Sequence, residues 1–126
     1  MGQLVLLADD NPSMRDSLRV LLEQHGLEVV LCSTATQTLE TAANADLAPA
    51  IAVIDVKLPD MPGLELSKQL RANDFGWPII LCSGEQQGAD ALAGAGAQRF
   101  LLKPFQPDQL LNCIWELLEP SDDWAP

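Results

Sequence analysis

An α/β fold, with a parallel sheet and crossover helices, follows from three features of the chain. Short apolar runs alternate five times with stretches of helical period. Two of those runs, Ala50 to Ile54 and Pro78 to Cys82, are apolar with little alternation, as strands covered on both faces are. The length of 126 residues makes one domain by the rough prior of about 150 residues per domain, enough to bury about two thirds of its unfolded surface.

Leu4 to Ala8 is the first expected strand, and Asn11-Pro12 opens a helix, with a capping side chain followed by a proline at the first helical position. Met14, Leu18, Leu21 and Leu22 mark its inner face, and Gly26 ends it. Leu27 to Cys32 alternates enough to be an edge strand. Ser33 or Thr34 then caps a helix that turns Leu39, Ala42 and Ala43 inward. The third strand ends at Asp55. Leu58-Pro59-Asp60-Met61-Pro62-Gly63 is loop chemistry, and Leu64, Leu66 and Leu70 place a helix reaching about Ala72.

Ser83-Gly84 breaks the fourth strand. The next helix, about Gln86 to Ala93, is expected to be short or mobile, because Gly88, Gly94 and Gly96 bracket it and each interior glycine costs about 1 kcal/mol relative to alanine. Arg99 to Leu102 is the fifth strand, closed by Lys103-Pro104. Leu110, Leu111, Ile114, Leu117 and Leu118 give the last helix a broad apolar face, and Pro120 stops it. Residues 121 to 126 are too polar and proline-flanked to pack, which marks residues 120–126 as a tail or the stub of a linker.

Composition narrows the function. Seven Lys and Arg against eighteen Asp and Glu give a net charge of −11 and a pI near 4.1, which argues against a grip on nucleic acid or an anionic membrane surface. A hydrophobic content of 48% excludes a disordered chain. No apolar run approaches the ~20 residues of a membrane helix. The N-terminus lacks the basic region of a secretory signal, and Leu6 stands where a myristoylated Gly2 would need Ser or Thr. Cys32, Cys82 and Cys113 have no metal-type spacing and cannot all pair, so a reduced, cytoplasmic compartment is expected.

In open parallel sheets, ligands bind beyond the carboxyl ends of the strands, and the polar residues of this chain fall on those ends. Asp9 and Asp10 follow the first strand, Asp55 the third, Ser83 the fourth and Lys103 the fifth. Each has an ordinary alternative taken alone: a capping or solvated aspartate, a turn aspartate, a loop hydroxyl, a surface charge. With the second strand at the edge, the other four ends converge on one pocket. Three carboxylates there repel one another unless a cation is bound or some pKa values rise. Mg²⁺ is the economical cation, since it prefers oxygen ligands and is held by one or two carboxylates plus a phosphate oxygen. Lys103 and Ser83 could then meet the oxygens of a transferring phosphoryl group, leaving one carboxylate as nucleophile.

These residues resemble the receiver domain of two-component response regulators. The matching pieces are Asp9-Asp10, Asp55 with Pro59 and Gly63 downstream, Ser83-Gly84, and Phe100-Leu101-Leu102-Lys103-Pro104-Phe105. The match runs from about Gln3 to Glu119, so residues 3–119 form the expected receiver domain. The resemblance implies a flavodoxin-like, doubly wound, five-stranded parallel sheet of order 2-1-3-4-5 with helices on both faces. It implies that Asp55 accepts phosphoryl from a sensor histidine kinase or a phosphotransfer protein. Asp10, Asp55 and the backbone carbonyl of Lys57 would bind Mg²⁺ directly, Asp9 through water, and Ser83 and Lys103 would hold the phosphoryl oxygens. Phosphorylation would draw Ser83 inward and let Phe100 turn from exposed to buried, reshaping the surface of the fourth helix, fifth strand and fifth helix. The Lys103-Pro104 bond would be cis.

Lys57 and Glu85 occupy positions that the resemblance links to phosphoryl lifetime. Their opposite charges could meet over the site and hinder attacking water, giving slow self-dephosphorylation. Such a protein is a switch and not a turnover enzyme. Its output is open, because no effector domain is expected within 126 residues.

Three other classes fit less well. An aspartyl-phosphate phosphohydrolase wants a second acid two residues after the nucleophile, where Lys57 stands. A flavin-binding module wants a phosphate loop after the first strand, where two carboxylates would repel it. A partner-binding pseudo-receiver has no need of the intact Asp9, Asp10, Asp55 and Lys103. His25 lies at a helix end where a cation suits the dipole, and Trp77, Trp115 and Trp124 are packing or tail residues.

Overall fold

The computed structural model describes residues 3–118; the stop at Pro120 and the tail at 120–126 lie outside them. The chain alternates strand and helix throughout: β1 (Leu4–Ala8), α1 (Pro12–Gln24), β2 (Glu28–Cys32), α2 (Ala35–Ala43), β3 (Pro49–Asp55), α3 (Gly63–Ala72), β4 (Ile79–Ser83), α4 (Ala89–Gly94), β5 (Arg99–Leu102) and α5 (Pro107–Leu118). All five strands are parallel, in the order β2-β1-β3-β4-β5. β2 is an edge, as its alternation implied.

Each strand feeds both faces of the sheet, because successive side chains point to opposite sides. Val5, Leu7, Ile51, Val53, Ile80, Cys82 and Leu101 pack under α1 and α5, with Leu18, Leu22, Leu110 and Ile114. Leu6, Ala8, Ala52, Ile54, Ile79 and Leu81 pack on the other side with Ala35, Leu66, Leu70 and Ala95. That two-sided burial is why β3 and β4 carry so few polar residues.

Local chemistry sets the helix starts. Asn11 caps α1, its side chain accepting from the Met14 amide, and Thr34 rather than Ser33 caps α2 by accepting from the Gln37 amide. The inner stripe of α2 is Ala35, Thr38 and Ala42, whereas Ala43, expected inside, is exposed. Thr38 can be buried because its hydroxyl donates to the Thr34 carbonyl at 2.8 Å. α4 begins at Ala89, not Gln86, and has no buried residue.

Two loops are tightly held. After β3, Lys57 bridges to Pro62 and the Gly63 amide donates to Val56 O at 2.6 Å. A Cβ at position 63 would run into the Asp55 backbone oxygen, so the chain can double back there only at glycine. At the other side, Ser67 Oγ donates to Ala95 O at 2.5 Å. Arg71 donates to the carbonyls of Gly96, Phe75 and Trp77, mooring the α4–β5 corner to α3. Trp77 stacks on Phe75 with ring centroids 5.5 Å apart.

Candidate functional site

The two-residue period of the strands aims the charged residues. Asp9, Asp55 and Lys103 stand two positions beyond Leu7, Val53 and Leu101, all on the α1 and α5 face. Register brings their strand ends level, since Ala8 pairs with Ile54 and Asp55 with Cys82. The Lys103 amide donates to Ser83 O at 2.7 Å.

The result is one cluster. Carboxylate oxygens of Asp9, Asp10 and Asp55 lie within 4.8 Å of one another. Asp9 and Asp55 are buried while Asp10 is exposed. Lys103 Nζ donates to Asp55 Oδ2 at 3.0 Å and to Asp9 Oδ2 at 3.1 Å. Burial opposes the Lys103 ammonium, but the hydrogen bond to Asp55 and the charges of Asp9 and Asp55 outweigh it and lift its pKa above the usual lysine value. The lysine therefore stays charged.

The remaining oxygens are oriented by the backbone. Asp9 Oδ1 accepts from the Asn11 amide at 2.9 Å, and Asp55 Oδ1 from the Lys57 amide at 3.1 Å. Arg15 donates to the Asp9 carbonyl at 2.8 Å, a residue the sequence reading passed over; a cation in the first turn after Asp9-Asp10 was the available signal. Hard oxygen donors at this spacing, with one exposed carboxylate at the mouth, suit a Mg²⁺ ion that keeps part of its water shell. Cys82, next to the cluster, takes no part: burial pushes its thiol up to about 12.

The arrangement is decisive when set beside the family whose model, the response regulator receiver domain, matches residues 5–114. The chain belongs to the response regulator receiver family. This receiver is 40% identical over 118 residues to the C4-dicarboxylate transport transcriptional regulatory protein DctD of Pseudomonas aeruginosa, covering 91% of the chain and 25% of that protein. It thus spans about a quarter of that relative, and about half of several others. A receiver domain protein from Methanospirillum hungatei superposes with a TM-score of 0.89 at 30% identity, covering 99% of this chain and 100% of that one. The receiver domain of a Pseudomonas aeruginosa sensor histidine kinase, crystallised with magnesium coordinated in its active site cleft, has a TM-score of 0.83 at 25% identity and covers 94% and 98%.

Ser83 is buried and shares the parity of Ile79 and Leu81, the opposite face to Asp55. Its hydroxyl accepts from the Glu85 amide at 3.0 Å. Lys57 Nζ and Glu85 Oε1 lie 3.6 Å apart, with both side chains about three quarters exposed (74% and 72%). Phe100 is half-buried against the α2, α3 and α4 face, and the Lys103–Pro104 peptide bond is cis. His25 sits at the end of α1 with Nδ1 2.9 Å from Leu21 O, away from the cluster's hydrogen bonds. Trp115 packs on the core, and Trp124 lies outside the described residues. Among the described residues, no helix is long and apolar enough to cross a membrane.

Proposed function

We propose that this receiver is a Mg²⁺-dependent phosphoacceptor switch in which Asp55 takes a phosphoryl group from a histidine kinase or phosphotransfer protein. The observation that carries the reading is the Lys103 ammonium shared between Asp55 and Asp9 inside a three-carboxylate cluster. A carboxylate oxygen of Asp55 attacks phosphorus, the new O–P bond forms as the donor's P–N bond breaks, and the electron pair leaves with the imidazole nitrogen. The Lys57 amide and Lys103 fix the attacking carboxylate, which is the larger part of catalysis when little covalent work is asked of the protein.

Lys103, already charged and beside Asp55, then meets the oxygens of the bound phosphoryl group, and Ser83 supplies a hydroxyl once it turns from the Glu85 amide. Asp10, Asp55 and the Lys57 carbonyl would hold Mg²⁺, with Asp9 acting through water; the ion supplies charge neutralisation for the phosphoryl oxygens. The rotation of Ser83 makes room for Phe100, and the α4–β5–α5 surface changes with it. Phosphorylation biases two arrangements of that surface, so its product is a conformation read by an effector. The Lys57–Glu85 pair lies across the loops that flank Asp55 and slows the approach of hydrolytic water.

Incubation with acetyl phosphate and Mg²⁺, followed by intact mass, tests this. The parent should gain one phosphoryl group and Asp55→Asn none. A gain on both proteins moves the acceptor elsewhere, and a gain on neither leaves a receiver that only binds partners.

A further inference from the structure

Asp60 lies at the tip of the β3–α3 loop, three residues past Lys57, and its carboxylate reaches across to another element. It accepts from the Ala35 amide at 2.8 Å, the Thr36 amide at 2.9 Å and the Thr36 hydroxyl at 2.8 Å. These donors are 24 and 25 residues away in sequence and form the first turn of α2. The favourable setting of an anion at a helix N-terminus explains why the contact is made, and α2 already has its own cap in Thr34.

The loop so held is short and closed on itself. Lys57 bridges to Pro62 at its base, Gly63 abuts the Asp55 backbone, and the Lys57 amide donates to Asp55 Oδ1. A loop fixed at its base alone could still swing at its tip. Asp60 removes that freedom, with a carboxylate whose partners are Ala35 and Thr36 and not the cluster or Lys103.

We propose that Asp60 is a positioning residue for the phosphoacceptor site, tying the loop that carries Lys57 to the N-terminus of α2 so that the Asp55 carboxylate and the Lys57 peptide stay set for a divalent cation. The inference rests on the receiver function above for its chemistry, but the positioning itself can be read without metal. Groups that orient metal ligands typically change affinity by about 10- to 100-fold. Asp60 acts through the loop backbone, so the lower end, about tenfold, is expected.

Four proteins decide it: the parent, Asp60→Ala, Asp60→Asn, which keeps the shape and one acceptor oxygen, and Ala42→Gly, which weakens the last turn of α2, at the far end from the Asp60 contact. Mg²⁺ affinity by calorimetry and hydrogen exchange at the Lys57 amide in metal-free protein are the two readouts. Asp60→Ala should bind Mg²⁺ about tenfold more weakly and exchange the Lys57 amide faster, with Asp60→Asn between it and the parent. Ala42→Gly should lower the thermal midpoint and leave both readouts at parent values. Parent-like affinity and exchange in Asp60→Ala overturn the inference, as does an Ala42→Gly protein that matches Asp60→Ala. Should the parent bind no Mg²⁺, the phosphoacceptor reading falls, while Lys57 exchange still decides the role of Asp60.

Discussion

Lys103 Nζ sits 3.0 Å from Asp55 Oδ2, at a side chain only 20% exposed, although 48 residues separate the two in sequence. The same nitrogen reaches Asp9. One ammonium therefore balances two buried carboxylates, and under the proposed function it is also the group that meets charge developing on the phosphoryl oxygens. Removing a fixed donor of this kind typically costs about 100- to 1000-fold in rate. Lys103→Ala should lower the rate of phosphorylation by acetyl phosphate at saturating Mg²⁺ by about 100-fold, measured by intact mass against time. A rate within a few-fold of the parent would remove Lys103 from the mechanism.

Asp10 brings a third negative charge to the cluster from an exposed position. Without a cation its effect on the folded state is repulsive, by about 1 kcal/mol for unit charges at this spacing in a water-like medium. Asp10→Asn should raise the urea midpoint of the metal-free protein and weaken Mg²⁺ binding at once. Equal midpoints for the two proteins would mean that the cluster is relieved some other way.

Lys57 and Glu85 are both largely exposed, and an exposed pair contributes about 0–1 kcal/mol to stability. Lys57→Ala should thus leave the thermal midpoint nearly unchanged while speeding loss of the phosphoryl group several-fold, followed by mass after removal of the donor. An unchanged decay rate would strip the pair of any role over the site.

Asp60 gives a pH signature. Hydrogen bonds from the Ala35 amide, the Thr36 amide and the Thr36 hydroxyl hold its carboxyl at about 2, below the ordinary 3.8. Folding favours the ionised form, so its contribution is whole above 3.8 and fades as the pH falls towards 2. The stability gap between the parent and Asp60→Asn should close over that window. A gap constant from pH 5 to pH 2 would contradict the assignment.

Much of this was legible in the residues. The strand ends stood out because charge followed apolar runs, and the structure adds the reason three of them meet: Leu7 to Asp9, Val53 to Asp55 and Leu101 to Lys103 are the same two-residue step. The sequence implied one pocket for all four candidate ends; three of them share a face, and Ser83, one step out of phase, lies on the other. What stayed hidden was long-range. Asp60 reads as a turn residue beside Pro59, and nothing near it in sequence announces Ala35 and Thr36 as its donors. Arg71 reads as a surface charge in the last turn of α3, yet it gathers three carbonyls. Ala43 misled because alanine marks a buried face poorly, whereas Thr38, polar by type, lies wholly inside.

The mooring of Ala95 and Gly96 by Ser67 and Arg71 divides the second half of the molecule into unequal parts. Upstream of it, residues 84–94 carry a six-residue helix with no buried side chain, and little free energy opposes their rearrangement. Downstream, β5 enters the sheet at a fixed point. The corner thus acts as a bulkhead, letting one stretch reshape while the register of the strand beyond it, and with it the reach of Lys103, is left undisturbed.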